Sequence, residues 1–307
     1  MAIAPTEFPA ETIAPHAAAP LLTGEGFWRR LLRHRLAQIG LTVVAMLIFV
    51  AVGTRVLTAI DPGTAFPNGL GELGEPHPPG EGFLLGADTL GRDVWSRVLY
   101  GTRISLTVGI CAMLTAVLIG TTVGLVSGYC GGWVDVVLMR ITEIVMSIPT
   151  ILLAITLYTI LPGEGFYPRL FKLLLAIALV TWTGIARAVR GQVLSLKEQE
   201  FIEAARAVGC SPARIVLVHL LPNVLPTVIV LATLATAHNI LLEAGLSFLG
   251  LGADPSAPSW GGMIQEGQPY LLTAPWIILA PGVAVVVAVA GFNLIGQALQ
   301  ETLEPRR

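Results

Sequence analysis

Apolar residues fall in long blocks rather than in short alternating runs. Segments near Leu36 to Ile60, Ile104 to Gly128, Val136 to Leu161, Leu170 to Val189, Val224 to Leu242 and Trp276 to Leu299 run close to or beyond 18 residues with few charges. That length crosses a hydrocarbon core of roughly 30 Å as helix. The pattern predicts an all-α integral membrane protein of about six transmembrane helices. Residues 1–24 hold Pro5, Pro9, Pro15 and Pro20 among small residues, a composition that predicts a disordered cytoplasmic tail. Residues 25–60 read as an amphipathic entry followed by the first span, residues 61–103 as an external loop, and residues 104–303 as a five-helix core. The loop is rich in Gly and Pro as far as Gly82. Beyond it Val94, Trp95, Val98 and Leu99 share one helical face beside Arg92 and Arg97, the pattern of an interfacial helix.

Composition agrees with this reading: the chain is 54% hydrophobic and only 12% charged over 307 residues. A net charge of −2 with no basic block excludes a nucleic-acid partner. The charges bear on orientation instead. Arg29, Arg30, Arg33 and Arg35 precede the first span, which the positive-inside rule places in the cytoplasm. Six spans then put both ends and the second and fourth loops inside, with twelve of the 18 Lys and Arg residues. The first apolar run is too long for a cleavable signal and is expected to stay as an anchor. Cys111, Cys130 and Cys210 are isolated, so neither a zinc-ligand spacing nor a disulfide framework is present.

Inside the second span Ala112, Ala116, Gly120, Gly124 and Gly128 recur every fourth residue, a smooth strip for close helix approach. It suits either packing within the chain or contact with a second subunit. Gly131 and Gly132 supply a tight turn after it. Intramembrane ionisable groups are few: Arg140 and Glu143, spaced to pair on a helix, and His238 and Glu243 towards the outer end of the fifth span, where a wet position is expected.

The cytoplasmic helix pair expected at 195–221 carries the most specific pattern. Ser195 with Glu198 forms a capping box, Gly209 suits a left-handed helix end, Ser211 with Pro212 starts a second helix, and Pro222 closes the segment. Two short helices around a turn are predicted. Ala204, Ala205 and Ala207 give the first of them a small face suited to a partner's groove. Glu203-Ala204-Ala205, Gly209 and Leu221-Pro222 resemble, spacing for spacing, the EAA loop of bacterial ABC importer permeases; His219 stands where the pattern has Ile. Further segments are similar to permeases of the DppC and OppC type. These are Leu85 to Asp93, Tyr100 to Leu106, Gly131 to Asp135, Met146 to Pro149, Glu243 to Gly252 and Pro258 to Gly261.

The resemblance implies a type I ABC importer permease with a MetI-like fold, in the bacterial plasma (inner) membrane with both termini cytoplasmic. It implies a non-catalytic subunit forming half of a pore for di- or oligopeptides, with nickel or another small solute as the alternative. Its implied partners are a homologous DppB/OppB-type permease, one or two ABC ATPase subunits and an extracytoplasmic substrate-binding protein, besides membrane lipid. Glu203, Ala204, Ala205, Gly209, Ser211 and Pro212 would couple to the ATPase. The chain has no phosphate-binding loop, so no cofactor is expected on it, and ATP and Mg belong to the partner ATPases. Met146, Ser147, Thr236 and Asn239 are the candidate pore-lining residues. Rival readings are a proton-coupled transporter using Glu143, His238 or Glu243, an intramembrane serine protease using Ser247 and His238, and a non-transporting scaffold.

Overall fold

The computed structural model describes residues 25–80, 82–163, 165–252 and 257–303. The tail at 1–24 lies outside them. The elements are α1 (Glu25–Arg33), α2 (Arg35–Leu57), α3 (Val94–Cys130), α4 (Gly132–Ser147), α5 (Thr150–Ile160), α6 (Phe166–Leu196), α7 (Glu200–Ala207), α8 (Pro212–Arg214), α9 (Leu221–Phe248), α10 (Trp260–Gly267) and α11 (Trp276–Leu303). A π-helical stretch, Ile215–Leu220, joins α8 to α9 without a break. Among the described residues, β structure is confined to isolated bridges in the loop between α2 and α3.

Among the described residues five helices are long and apolar enough to cross a membrane, and α4 with α5, bent by 98° at their junction, makes up to six if the pair is one broken span. The third span is therefore not the straight helix its hydropathy predicts. Proline explains the break: Pro149 offers no N–H and its ring excludes helical geometry from the residue before it. Ile148 is accordingly extended, with φ −94° and ψ 132°. The Ser147 hydroxyl donates to the Ile144 carbonyl at 2.7 Å and satisfies one of the acceptors left free at that helix end.

The long α3 begins ten residues before the expected span, because Asp93 caps it by accepting the Ser96 N–H at 2.8 Å. The loop thus ends at Asp93, and the supposed interfacial helix is the first turns of α3. Val94 and Leu99 are buried and only Trp95 of that face is exposed. Two indole N–H groups pin this end of the molecule: Trp260 donates to the Val98 carbonyl at 3.2 Å and Trp276 to the Ala87 carbonyl at 3.0 Å.

The strip of small residues on α3 packs against α6 of the same chain. A Cβ on Gly120 would lie 2.6 Å from the Trp182 carbonyl oxygen, and one on Gly124 would lie 2.7 Å from that of Ala186. One on Gly128 would lie 2.8 Å from Val193 Cβ. Internal packing accounts for the strip. Towards one end of the bundle this contact broadens into a core of Ala116, Val189, Val193, Ile215, Leu220 and Val224. Towards the other, Val108 and Ala112 meet Ala154, Leu173, Ile177 and Leu246. Phe27 and Leu31 bury the apolar face of α1 against Val230, Ala298 and Leu299, while its arginines face outward.

Gly124→Ala should cost about 1–3 kcal/mol by overpacking the helix contact. Gly184→Ala, with nothing within 4 Å of its added Cβ, should be neutral. Thermal unfolding of the two purified variants checks the difference.

Candidate functional site

The turn after α6 forms in a different register from the one local capping predicts. Ser195 lies within the last turn of α6, which runs to Leu196, and the Lys197 N–H still bonds the Val193 carbonyl at 2.9 Å. Nothing interrupts that helix at Ser195, so its main-chain ladder prevails over the side-chain cap. Gln199, extended at φ −83° and ψ 146°, instead begins α7 without a side-chain cap.

The other end of α7 follows the sequence. Gly209 has φ +78°, its N–H bonds the Arg206 carbonyl at 3.0 Å, and the Cys210 N–H bonds the Ala205 carbonyl at 3.0 Å. These two bonds form a Schellman motif, which the left-handed glycine permits. Ser211 then caps α8, accepting the Arg214 N–H at 3.4 Å, with Pro212 at the first helical position. Pro222 does not close the segment. The π-helical stretch before it, marked by the Leu221 N–H bonding back to Val216, widens the helix, and α9 carries on through Pro222 and Pro226.

Burial divides α7 into two faces. Ile202 and Ala205 are buried in the core that ends the α3, α6 and α9 contact. Glu203, Ala204, Ala207, Val208 and Gly209 are exposed, as are Ser211 and Pro212. Ala205 therefore anchors the helix from within, and the exposed small surface is Ala204 with Ala207 and Val208. Close by, Arg190 grips Asp135 through Nε at 2.5 Å and Nη2 at 2.6 Å, while Ser127 donates to the same carboxylate. This bidentate pair ties the Gly131-Gly132 turn to α6 beneath the α7 platform.

The opposite end of the bundle holds a cluster that the sequence did not reveal. Arg92 and Arg97 are buried rather than interfacial, with Arg97 1% exposed. Arg92 donates through Nε to Asp88 at 2.6 Å and through Nη2 to Glu266 at 2.8 Å. Arg97 Nη2 reaches both Glu266 oxygens, at 2.8 and 3.1 Å. Two cations facing two carboxylates leave the cluster neutral, and removing one partner of such a buried set costs roughly 3–5 kcal/mol. The spacing of Asp88 and Arg92 was the available signal; Glu266 lies too far along the chain to suggest itself.

The pore candidates divide. Met146 and Ser147 are exposed where the α4 and α5 crossing breaks. Thr236 and Asn239 are buried inside the chain, which corrects their assignment to a pore face. The Thr236 hydroxyl donates to the Ala232 carbonyl at 2.9 Å, and the Asn239 amide fits between the Ala235 carbonyl and the Met113 N–H. Glu243 is likewise fully buried rather than wet, and Ser247 donates to it at 2.7 Å. His238 is exposed on a different face, so no relay or catalytic pair joins it to Glu243 or Ser247. Arg140 and Glu143 pair with each other at 2.9 Å, as their spacing predicts.

The fold is a multi-pass helical bundle with an anchored helix on one end, one face of which is turned outward. Residues 120–307 match the family described as the binding-protein-dependent transport system inner membrane component. Residues 24–72 match the N-terminal transmembrane domain of oligopeptide transport permease C. The chain belongs to this family of binding-protein-dependent permeases. It is 39% identical to the dipeptide transport system permease DppC of Alkalihalophilus pseudofirmus, over 91% of this chain and 88% of that one. It is 38% identical to the glutathione transport system permease GsiD of Pectobacterium atrosepticum, over 91% and 90% of the two chains. A chain of the MetNI methionine ABC transporter in an inward-facing conformation shares the fold, with a TM-score of 0.54 at 22% identity over 68% of this chain and 96% of that one. Membership implies in general a second permease, an ATPase and a substrate-binding protein.

Gly209→Ala should strain the left-handed turn by roughly 1–2 kcal/mol, whereas Gly209→Asn should restore most of it. Hydrogen exchange at the Cys210 amide, which the motif protects, should accelerate about 5–30-fold in the alanine variant and less in the asparagine variant.

Proposed function

We propose that this chain is one of two homologous permease subunits of an ATP-driven importer of short peptides in the bacterial plasma membrane. The single observation that carries the mechanical part is the two-faced α7: Ile202 and Ala205 key it into the bundle while Glu203, Ala204, Ala207 and Val208 face outward. A short helix presenting small residues beside exposed charged side chains, Glu200, Glu203 and Arg206, fits a groove on a partner. The partner is the ATPase, which would hold ATP and Mg. This chain contributes no phosphate loop and acts by moving with the ATPase. The peptide cargo is supported by the relatives named as dipeptide and glutathione permeases.

The arginines of α1 and the start of α2 lie at the same end of the bundle as α7, since α1 packs on α9 and the end of α11. The positive-inside rule places that end in the cytoplasm, where ATPases reside. The opposite end, with the loop of residues 58–93 and α10, then meets the binding protein. We assign Met146 and Ser147 to the face that a second permease would complete into a pore, because they are exposed at the break between α4 and α5. Such a break is tolerated at membrane depth when it lines a cavity or lies against protein.

Glu203→Lys should leave the chain inserted but lower ATP-driven uptake of Ala-Ala by the reconstituted transporter about tenfold, the equivalent of about 1.4 kcal/mol of docking. Co-purification of the ATPase should fall with it. Undiminished uptake would refute the docking role.

A further inference from the structure

At the end of the bundle opposite α7, the end of α5, the start of α6, the end of α9 and α10 with the residues just before it line an open-mouthed cavity of about 510 Å³. That volume lies within the range of about 300–1,000 Å³ usual for small-molecule sites. Arg169 and Lys172 line it from α6, three residues apart and so on one helix face. Glu266 is the one carboxylate in the described lining, and its oxygens are already held by Arg92 and Arg97. It leaves the two cations of α6 without a carboxylate partner among the described residues. Lys172 Nζ makes one long contact, 3.4 Å to the Gly163 carbonyl, and lies 4.8 Å over the Tyr158 ring. The Arg169 side chain has no hydrogen bond or ion pair among the described residues.

Two like charges on one helix face oppose each other, and an anion between them relieves that cost. The Gln265 amide and the Ser259 hydroxyl add neutral hydrogen-bonding groups, and the Tyr158 ring adds an apolar wall. A small inorganic ion would leave most of this volume unfilled. We propose that the cavity binds the carboxylate terminus of a short peptide, giving the permease a substrate site of its own. The proposal rests on the peptide-importer reading above and extends it: Arg169 and Lys172 hold the carboxylate, and the neutral groups face the adjoining peptide bond.

The test is equilibrium binding of radiolabelled Ala-Ala to the permease and ATPase complex in phosphatidylcholine nanodiscs, without ATP or binding protein. Unlabelled Ala-Ala should compete at least tenfold better than Ala-Ala-amide. The double variant Arg169→Gln, Lys172→Gln should weaken binding at least tenfold, and Arg169→Lys, Lys172→Arg should retain it. The wild-type competition decides the matter even if the double variant fails to fold. Absent binding, equal competition by the amide, or unchanged binding by a folded double variant overturns the proposal. Competition by acetate as effective as by Ala-Ala, or displacement of Ala-Ala by added phosphatidylglycerol, also overturns it, in favour of a general anion or lipid-headgroup site. ATP-driven Ala-Ala uptake by the wild-type transporter with its binding protein is measured alongside. With uptake present, a negative result falls on the cavity alone; with uptake absent, the importer reading falls first.

Discussion

Close approach of α3 to α6 is the constraint on which the remaining architecture depends. No hydrophobic effect drives helices together within hydrocarbon, so contact must come from packing, and packing needs surfaces that fit. Gly120 and Gly124 bring the α6 backbone, and Gly128 the Val193 side chain, to a distance that a Cβ would forbid. The helix pair so formed reaches from the buried arginines at one end to Val189 and Val193 at the other. There α7 finds its seat. Ile202 and Ala205 pack on that same core, so the outward face of α7 inherits its position from glycines several turns away.

This arrangement gives a physical sense to coupling between ends. Both α6 and α9 run from the α7 platform to the region of Arg169, Lys172 and Ser247. A force on α7 acts on their near ends, where Arg190 with Asp135 and the Gln192 bond to the Asn223 carbonyl, at 3.1 Å, hold neighbouring segments together. The π-helical stretch and the bend between α4 and α5 interrupt otherwise regular helices. Irregular backbone at such points is where rigid helices can reorient against one another, the two-state behaviour that coupling requires.

Much of this was legible in the sequence because the bilayer limits the options. Long apolar runs gave the spans, the fourfold spacing of small residues gave a packing face, and Gly209 with Ser211-Pro212 gave the turn. The misreadings arose where a long-range contact or a neighbouring residue outweighed local pattern. Hydropathy runs evenly through Pro149 and hides a right-angled break. Ser195 has the chemistry of a cap, but α6 continues past it. Thr236 and Asn239 are polar and intramembrane, which suggests a lumen; their bonds to Ala232, Ala235 and Met113 meet their needs within the bundle. Arg92 and Arg97 sit beside apolar residues as interfacial cations do; their pairing with Asp88 and with Glu266, the latter far along the chain, makes them buried ion pairs.

The central claim is that one face of α7 meets the ATPase while the other is locked into the permease. Site-directed cross-linking in a background with Cys111, Cys130 and Cys210 all replaced by Ser tests it most directly, with single cysteines at Ala204 or Ala205 and the assembled transporter in its membrane. The account predicts cross-links to the ATPase from position 204 and none from position 205, whose side chain is buried. Equal cross-linking from both positions, or none from position 204, would contradict it.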